Sequence, residues 1–264
     1  MGVHLFLSPH LDDAILSCGG VIHRLGRNGE RTIIVTAMAG DPQDAPIDSP
    51  VLQAIRAQWD EAVNPIATRR AEDAQAAHEL NAQIYHLALT ECAFRATLCG
   101  VGEWIALYPQ YDSPFQAINE ADDARLVLLE THLPFDGITR IYAPLCVDDH
   151  VDHRLVRDWA LVLTGSLDAP QLVFYEEFPQ ARTKGSLQRA QDFYRKQMPA
   201  LVMEREIALL DEDDLAAKLR AMRCYRSHLN VLWNDLAEMD TITRELMQSI
   251  GNGAPAERYW RVLR

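Results

Sequence analysis

The sequence VHLFLSPHLDDAILSCGG (residues 3–20) runs from an apolar stretch through polar side chains into a second apolar stretch. The apolar run before Pro9 predicts a short buried strand, and the spacing of the second run predicts a helix that begins at about Asp13. The polar side chains His10, Asp12 and Asp13 therefore fall at the turn from strand to helix. A strand that leads directly into a helix is typical of an α/β fold.

The rest of the chain repeats this alternation of strand and helix. Further strands are predicted at 31–40, 83–89, 139–145 and 171–178, and helices at 13–25, 51–62, 67–82, 121–133 and 152–165. Residues 41–50 are rich in Pro and Asp and predict a surface loop, and the chain from about Ser186 has a mainly helical pattern. Because parallel strands need crossover connections, we expect a Rossmann-like α/β fold with a mostly parallel sheet, helices on both of its faces and a helical C-terminal part. The 264 residues suit a single domain, 1–264.

Charge and cysteine content narrow the classes of partner. The 25 Lys and Arg residues against 38 Asp and Glu residues give a formal net charge of -13, and no basic run is present, so a nucleic-acid partner is not expected. The five cysteines form no Cys-x-x-Cys pair, which favours reduced thiols and a cytoplasmic location. No apolar run reaches about 18 residues, so we expect no membrane partner.

A second polar cluster, VDDHVDH (147–153), follows the strand predicted at 139–145. In open α/β sheets, ligands bind at the carboxyl ends of the strands, where the strand order reverses, so both clusters are expected at one site. Two His and one carboxylate with an open position form the ligand set of catalytic zinc, whose bound water has a pKa near ~7. This set predicts hydrolysis. Taken alone, an Asp in either cluster is explained equally well as a helix N-cap or a helix N-terminal charge.

These motifs resemble those of a known family. SPHLDDAILSCGG (8–20) is similar to the Pro-His-x-Asp-Asp motif of the PIG-L, or LmbE-like, family of zinc-dependent N-deacetylases, and HVDH (150–153) resembles its His-x-x-His motif. The helix containing TRRAED (68–73) is similar to the family's Arg-Arg-x-Glu helix. Weaker similarity lies in FYEEFP (174–179) and KLRAMRCYRSH (218–228), so the resemblance extends over nearly the whole chain.

The resemblance implies roles for residues of the two clusters. His10, Asp13 and His153 are the expected zinc ligands, Asp12 is the expected general base, and His150 is expected beside the substrate carbonyl. Amide hydrolysis also needs a group that stabilises the developing oxyanion, and this task is expected of the zinc ion and His150.

We therefore expect Asp152 to hydrogen-bond His150 and to keep its ring oriented and protonated. Arg69 is an expected substrate contact by resemblance, although an ion-paired surface residue fits its pattern equally well. Arg95 is a further candidate contact. The chain departs from the family at Glu91, where relatives often carry Asp, and at His228, where Gln is common.

The expected function is that of a zinc hydrolase that removes an acyl group, acetyl first, from the nitrogen of an amino-sugar-type substrate. One zinc ion per chain is expected, and Fe²⁺ or Co²⁺ also suits such a ligand set. The expected partner is a small N-acyl amino sugar or glycoconjugate, and a homo-oligomer stays open.

Two alternatives remain open. A metal-dependent phosphoesterase would hold two metal ions and needs further separated Asp clusters, which the sequence lacks. A non-catalytic sugar-binding or nucleotide-binding module would use the same fold, although no G-x-G-x-x-G follows the first strand.

Overall fold

A computed structural model describes residues 2–42, 47–58, 65–166 and 168–263 of the chain. The strands are β1 (Val3–Ser8), β2 (Arg31–Thr36), β3 (Gln83–His86), β4 (Ala96–Leu98), β5 (Trp104–Ala106), β6 (Ile138–Pro144), β7 (Gln171–Tyr175), β8 (Met203–Leu209) and β9 (Ala256–Val262). The helices are α1 (Asp13–Arg27), α2 (Pro50–Gln58), α3 (Pro65–Glu79), α4 (Ala124–Glu130), α5 (Val151–Leu163), α6 (Ser186–Gln197), α7 (Glu212–Met222), α8 (Leu229–Leu232) and α9 (Leu236–Ile250).

Seven strands form one mixed sheet in the order β3-β2-β1-β6-β7-β9-β8, and β4 and β5 form a separate antiparallel pair. The five strands from β3 to β7 in this order are parallel, whereas β9 pairs antiparallel with both β7 and β8. From β1 the chain proceeds outward to β2 and β3 and then returns to the other side of β1 as β6. The strand order therefore reverses between β1 and β6, which confirms the predicted α/β fold and opens a crevice at their carboxyl ends.

Helices cover both faces of this sheet. Side chains alternate along β1, so that Leu5 and Leu7 pack in the cluster with α4, α5 and α6, whereas Phe6 packs in the cluster with α1, α3 and α7. All three are fully buried, as expected for a central parallel strand. Within the described ranges, none of the helices has both the length and the apolar composition needed to cross a lipid bilayer.

The C-terminal part differs from the prediction. It contains helices α6, α7, α8 and α9 as expected, but also β8 and β9, which extend the main sheet. In β8, the sequence MEREIAL is rich in Glu, Arg and Ala, which favour helices when considered alone. Pairing with β9 over the whole of its length determines the observed conformation, and that pairing joins residues about 50 positions apart.

Smaller differences concern element ends. Helix α1 extends two residues beyond its predicted end, and the helix predicted at 121–133 is reduced to α4. The two helices predicted at 51–62 and 67–82 correspond to α2 and α3, with residues 59–64 outside the described part. Residues 43–46 of the predicted loop also lie outside it.

Two glycines of α1 allow close packing against the C-terminal elements. A Cβ atom on Gly20 would lie 2.5 Å from Leu210 Cδ1, and one on Gly19 would lie 3.0 Å from Lys218 Cγ. The backbone nitrogens of Gly20 and Val21 donate hydrogen bonds to the Glu257 carboxylate, each at 2.9 Å. The glycine pair therefore brings α1 against α7 and β9, which holds the helix in place behind the crevice.

Candidate active site

The first cluster is built by the turn between β1 and α1. The backbone nitrogen of His10 donates a hydrogen bond to Asp13 Oδ2 at 2.8 Å. Ser8 Oγ donates to the His10 carbonyl at 2.7 Å and accepts from the Ala14 nitrogen at 3.0 Å. These bonds close the turn and bury Asp12 and Asp13, which are 5% and 3% exposed.

The second cluster is built by the segment between β6 and α5. His150 is the N-cap of α5, and its Nδ1 accepts a hydrogen bond from the Asp152 backbone nitrogen at 3.2 Å. The backbone nitrogen of His150 in turn donates a hydrogen bond to Asp148 Oδ1 at 3.1 Å. This N-cap places His153 in the first turn of α5, where it is 2% exposed and its Nε2 faces the Asp13 carboxylate.

The two clusters meet at Asp13. Its Oδ2 atom lies 3.2 Å from His10 Nδ1 and 3.4 Å from His153 Nε2. Ring nitrogens of His10, His150 and His153 also lie within 4.8 Å of one another. The structure thus brings together all three residues expected as metal ligands, with His150 beside them.

A residue that the sequence reasoning did not single out supports His153 from behind. Glu177 follows β7, is fully buried, and its Oε1 lies 3.3 Å from His153 Nδ1. Its carboxylate also accepts hydrogen bonds from the backbone nitrogens of Cys146 and Val147. The available signal was the pair of glutamates directly after a buried strand, at the same sheet edge as the two clusters.

Asp152 occupies the site but not in the arrangement expected. Its carboxylate lies 3.0 Å from His10 Nε2, accepts a hydrogen bond from the Cys92 nitrogen at 3.0 Å, and pairs with Arg95. The predicted hydrogen bond from this carboxylate to His150 is wrong. Residues two apart at a helix start do not face each other, so the backbone of Asp152 contacts His150 while its side chain points toward His10.

The two arginines differ in position. Arg69 is 3% exposed, lines the crevice and pairs with Glu91. Arg95 is also buried, but its guanidinium bridges Asp152 and Asp122, and it lines a neighbouring cavity of about 410 Å³ rather than the crevice. The structure therefore places Arg69 where a substrate contact was expected and gives Arg95 a supporting position behind Asp152.

The crevice encloses a cavity of about 260 Å³. Its polar lining includes His10, Asp12, Asp13, Arg69, His150 and His228, and its apolar lining includes Leu16, Val51, Ile55 and Leu232. A small organic group with one polar face and one apolar face suits this lining.

Burial and close charges shift the acidity of the lining residues. Burial together with the neighbouring Asp13 charge raises the pKa of Asp12 to about 7. Burial lowers the pKa of His150 to about 3, so its ring is neutral, in contrast to the protonated form expected from the sequence. For His10, hydrogen bonds to Asp13 and Asp152 outweigh the opposing effect of burial and raise the pKa to about 10. Shifted acidity of this kind is typical of catalytic sites.

Known proteins resemble this chain in sequence and in fold. 2'-N-Acetylparomamine deacetylase of Niallia circulans is 26% identical over 190 residues, which cover 66% of each chain, so the match spans just under two thirds of that relative. The fold resembles that of teicoplanin deacetylase in a zinc-inhibited form, with a TM-score of 0.76, 22% identity and coverage of 99% and 98% of the two chains. It also resembles N,N'-diacetylchitobiose deacetylase from Pyrococcus horikoshii, with a TM-score of 0.57, 17% identity and coverage of 99% and 83%.

A family model adds a match over most of the parallel sheet. Residues 5–163, which include both polar clusters, match the PIG-L model, described as GlcNAc-PI de-N-acetylase. The chain therefore belongs to the PIG-L family.

Proposed function

We propose that this protein is a metal-dependent N-deacetylase that hydrolyses the linear amide bond of an N-acetylated amino sugar or glycoconjugate. The observation that carries the proposal is the cluster of His10, Asp13 and His153 at the edge of a cavity that a separate buried carboxylate, Asp12, also lines. Membership of the PIG-L family supports the reaction type.

The residues present fit a divalent metal ion. His10 and His153 each place a ring nitrogen within 3.4 Å of Asp13 Oδ2, and two imidazole nitrogens with one carboxylate oxygen are a donor set suited to zinc, Fe²⁺ or Co²⁺. We assign the metal to these three residues, one ion per chain and zinc first. A bound ion supplies Lewis acidity toward a carbonyl oxygen and lowers the pKa of water. Glu177 supports the outer nitrogen of His153, as is common for metal-binding His residues.

Asp12 is assigned the proton transfers. Its carboxylate lines the cavity next to Asp13 and takes a proton from the attacking water, then returns it to the departing amine. Burial disfavours the charged form of Asp12 and raises its pKa, which suits a carboxylate that must both accept and release a proton.

His150 is assigned to the carbonyl oxygen of the substrate. Because its Nδ1 accepts a hydrogen bond from the Asp152 nitrogen, the ring proton is on Nε2, which faces Cys92 Sγ at 3.7 Å on the cavity side. A neutral Nε2–H group in this position donates a hydrogen bond to the oxygen on which negative charge develops. Asp152 contributes by holding His150 and His10 in place.

The substrate class rests on the cavity and on the relatives. The relatives named above are a 2'-N-acetylparomamine deacetylase, a teicoplanin deacetylase and an N,N'-diacetylchitobiose deacetylase, which act on acetylated sugar substrates. Arg69 and Glu91 provide polar contacts for sugar hydroxyl groups, and Leu16 and Leu232 provide an apolar wall. The proposed substrate is accordingly a small molecule with an N-acetyl group on a sugar ring.

Metal content and acetate release together test this function. Purified protein and the Asp12→Asn variant are compared on N-acetylglucosamine, N,N'-diacetylchitobiose and an N-acetylated aminoglycoside. We expect about one metal ion per chain in both proteins and acetate release that falls by roughly 10²-fold to 10⁴-fold in the variant. Two ions per chain with hydrolysis of phosphate esters would instead identify a phosphoesterase, and metal-free binding of sugars without turnover would identify a binding module.

A further inference from the structure

His228 lies on the wall of the active-site cavity, although it comes from the C-terminal segment that follows α7. Its Nε2 atom is 3.8 Å from Asp12 Oδ2. Its Nδ1 atom is buried and has no hydrogen-bond partner in the part of the chain that the structure describes. One ring nitrogen thus faces the carboxylate to which we assign the proton transfers, and the other faces the interior.

The backbone before His228 is fixed to α3. Glu72 accepts hydrogen bonds from both the nitrogen and the hydroxyl of Ser227, at 2.9 Å and 2.5 Å. The Tyr225 hydroxyl donates a hydrogen bond to the Asp73 carboxylate at 2.6 Å. The same carboxylate accepts a hydrogen bond from Thr36 Oγ1 at 3.0 Å. Two adjacent carboxylates of α3 therefore hold the segment 225–228 in register with the strand ends that carry the site.

This arrangement determines which ring nitrogen carries the proton. A buried nitrogen without a partner costs less as an unprotonated acceptor than as an N–H donor. The nitrogen that faces a carboxylate is favoured as the donor. The neutral ring of His228 is therefore expected in the form with its proton on Nε2, pointing toward Asp12.

We propose that His228 is a positioning residue that holds the Asp12 carboxylate in the orientation needed for proton transfer. This inference rests on the proposed function, in which Asp12 is the general base. A short shift closes the 3.8 Å separation to a hydrogen bond, as is common when a substrate tightens a site. Asp12 without this donor samples other side-chain rotamers, so fewer encounters with substrate lead to reaction.

The kinetic test uses four variants: His228→Ala, His228→Gln, Asp12→Asn and the double variant. We expect His228→Ala to lower kcat between about 10-fold and 100-fold while KM stays within about twofold. His228→Gln keeps an N–H donor of similar reach and should recover most of the loss. In the Asp12→Asn background, His228→Ala should cause little further loss, because both changes remove one function. His78→Ala, on the exposed side of α3, serves as the control.

A change confined to KM in His228→Ala would overturn the proposal in favour of direct substrate contact. An unchanged kcat would also overturn it, and so would a loss of kcat that adds to that of Asp12→Asn. A second measurement needs no substrate: ¹H–¹⁵N correlation spectra of the His rings, assigned with His228→Ala, report the tautomer of His228. The Nε2–H form supports the proposal, and the Nδ1–H form overturns it. If the wild type releases acetate from none of the substrates, the proposed function fails while the tautomer still decides the orientation of His228.

Discussion

Asp13 is the residue at which the two halves of the site meet, because its carboxylate contacts His10 on one side and His153 on the other. The same carboxylate accepts a hydrogen bond from the backbone nitrogen of His10, so the turn between β1 and α1 also fixes the position of Asp13. His150 lies next to His10 and His153. Its Nδ1 accepts a hydrogen bond from the Asp152 backbone nitrogen at the start of α5. The two His of HVDH therefore have different expected roles.

Alanine variants at the two positions separate these roles. His153→Ala should lose bound metal, since one of three assigned ligands is removed. His150→Ala should keep about one ion per chain but lower acetate release by roughly 10²-fold, the usual cost of removing an oxyanion donor. Elemental analysis of the dialysed proteins and acetate assays provide the comparison. Loss of metal in both variants would assign His150 to the metal as well.

Glu177 offers a test of indirect support. Glu177→Gln should weaken metal affinity by about 10-fold to 100-fold without changing the number of ions bound at saturation, because one of the two carboxylates that lie 3.3 Å from His153 Nδ1, those of Glu177 and Asp148, loses its charge. The matched control is Glu176→Gln, since Glu176 points to the opposite side and pairs with Arg258 and Trp260. Competition with a chelator of known affinity measures both. Equal effects of the two changes would contradict the assigned support.

Residue patterns could predict the identity of the clustered side chains but not all of their partners. His10, Asp12, Asp13 and His153 lie in short motifs, and the strand order alone brings them together. The contacts of Asp152 with His10 and Arg95 depend on side-chain direction and on a buried arginine 57 positions away, which no local pattern encodes. His228 reaches Asp12 only through the hydrogen bonds that α3 makes to the C-terminal segment.

At the scale of elements, α1 carries half of the site and is anchored on its far side by a buried ion pair. Lys218 of α7 and Glu257 of β9 are 3% exposed each and lie 2.7 Å apart. The Glu257 carboxylate also accepts hydrogen bonds from two backbone nitrogens of α1 and from the Tyr259 hydroxyl. The pair thus connects three elements, two of which come from the C-terminal part.

Removing one charge of this pair should destabilise the fold strongly. Lys218→Met leaves the Glu257 carboxylate buried without its cation, and we expect a loss of about 3–5 kcal/mol in the free energy of unfolding. Arg261→Met removes a half-exposed partner of Glu204 and should cost less than about 1 kcal/mol. Urea unfolding followed by circular dichroism measures both. Comparable losses would show that the buried pair has no special contribution.

The elements that sequence patterns predicted correctly are those whose local pattern agrees with their environment. β1 is apolar because both of its faces are covered, and the first turn of α5 begins with polar residues that cap it. β8 has five charged or exposed positions and a helix-favouring composition, so its strand conformation follows only from pairing with β9. Long-range pairing of this kind is not visible in a window of a few residues.

For the whole molecule, the parallel sheet has the site at the junction of its two halves. One half contributes the β1–α1 turn and the other contributes the β6–α5 segment, and the strands β1 and β6 are neighbours in the sheet. The C-terminal elements add β8 and β9 to the far edge and return the segment 225–228 to the site. The site therefore forms only when distant parts of the chain have assembled.

A metal ion at this junction should stabilise the entire fold. His153 lies 140 positions from Asp13 along the sequence and 3.4 Å from it in the folded chain, so the three assigned ligands come together only on folding and an ion binds the folded state in preference to the unfolded one. At a free zinc concentration about 100 times Kd, the expected gain in the free energy of unfolding is about 2.7 kcal/mol. Urea unfolding of chelator-treated and zinc-loaded protein measures the gain, which His78→Ala should retain and His153→Ala should lose. Equal stability of the two wild-type preparations, with zinc bound, would place the ion at a site that also exists in the unfolded chain.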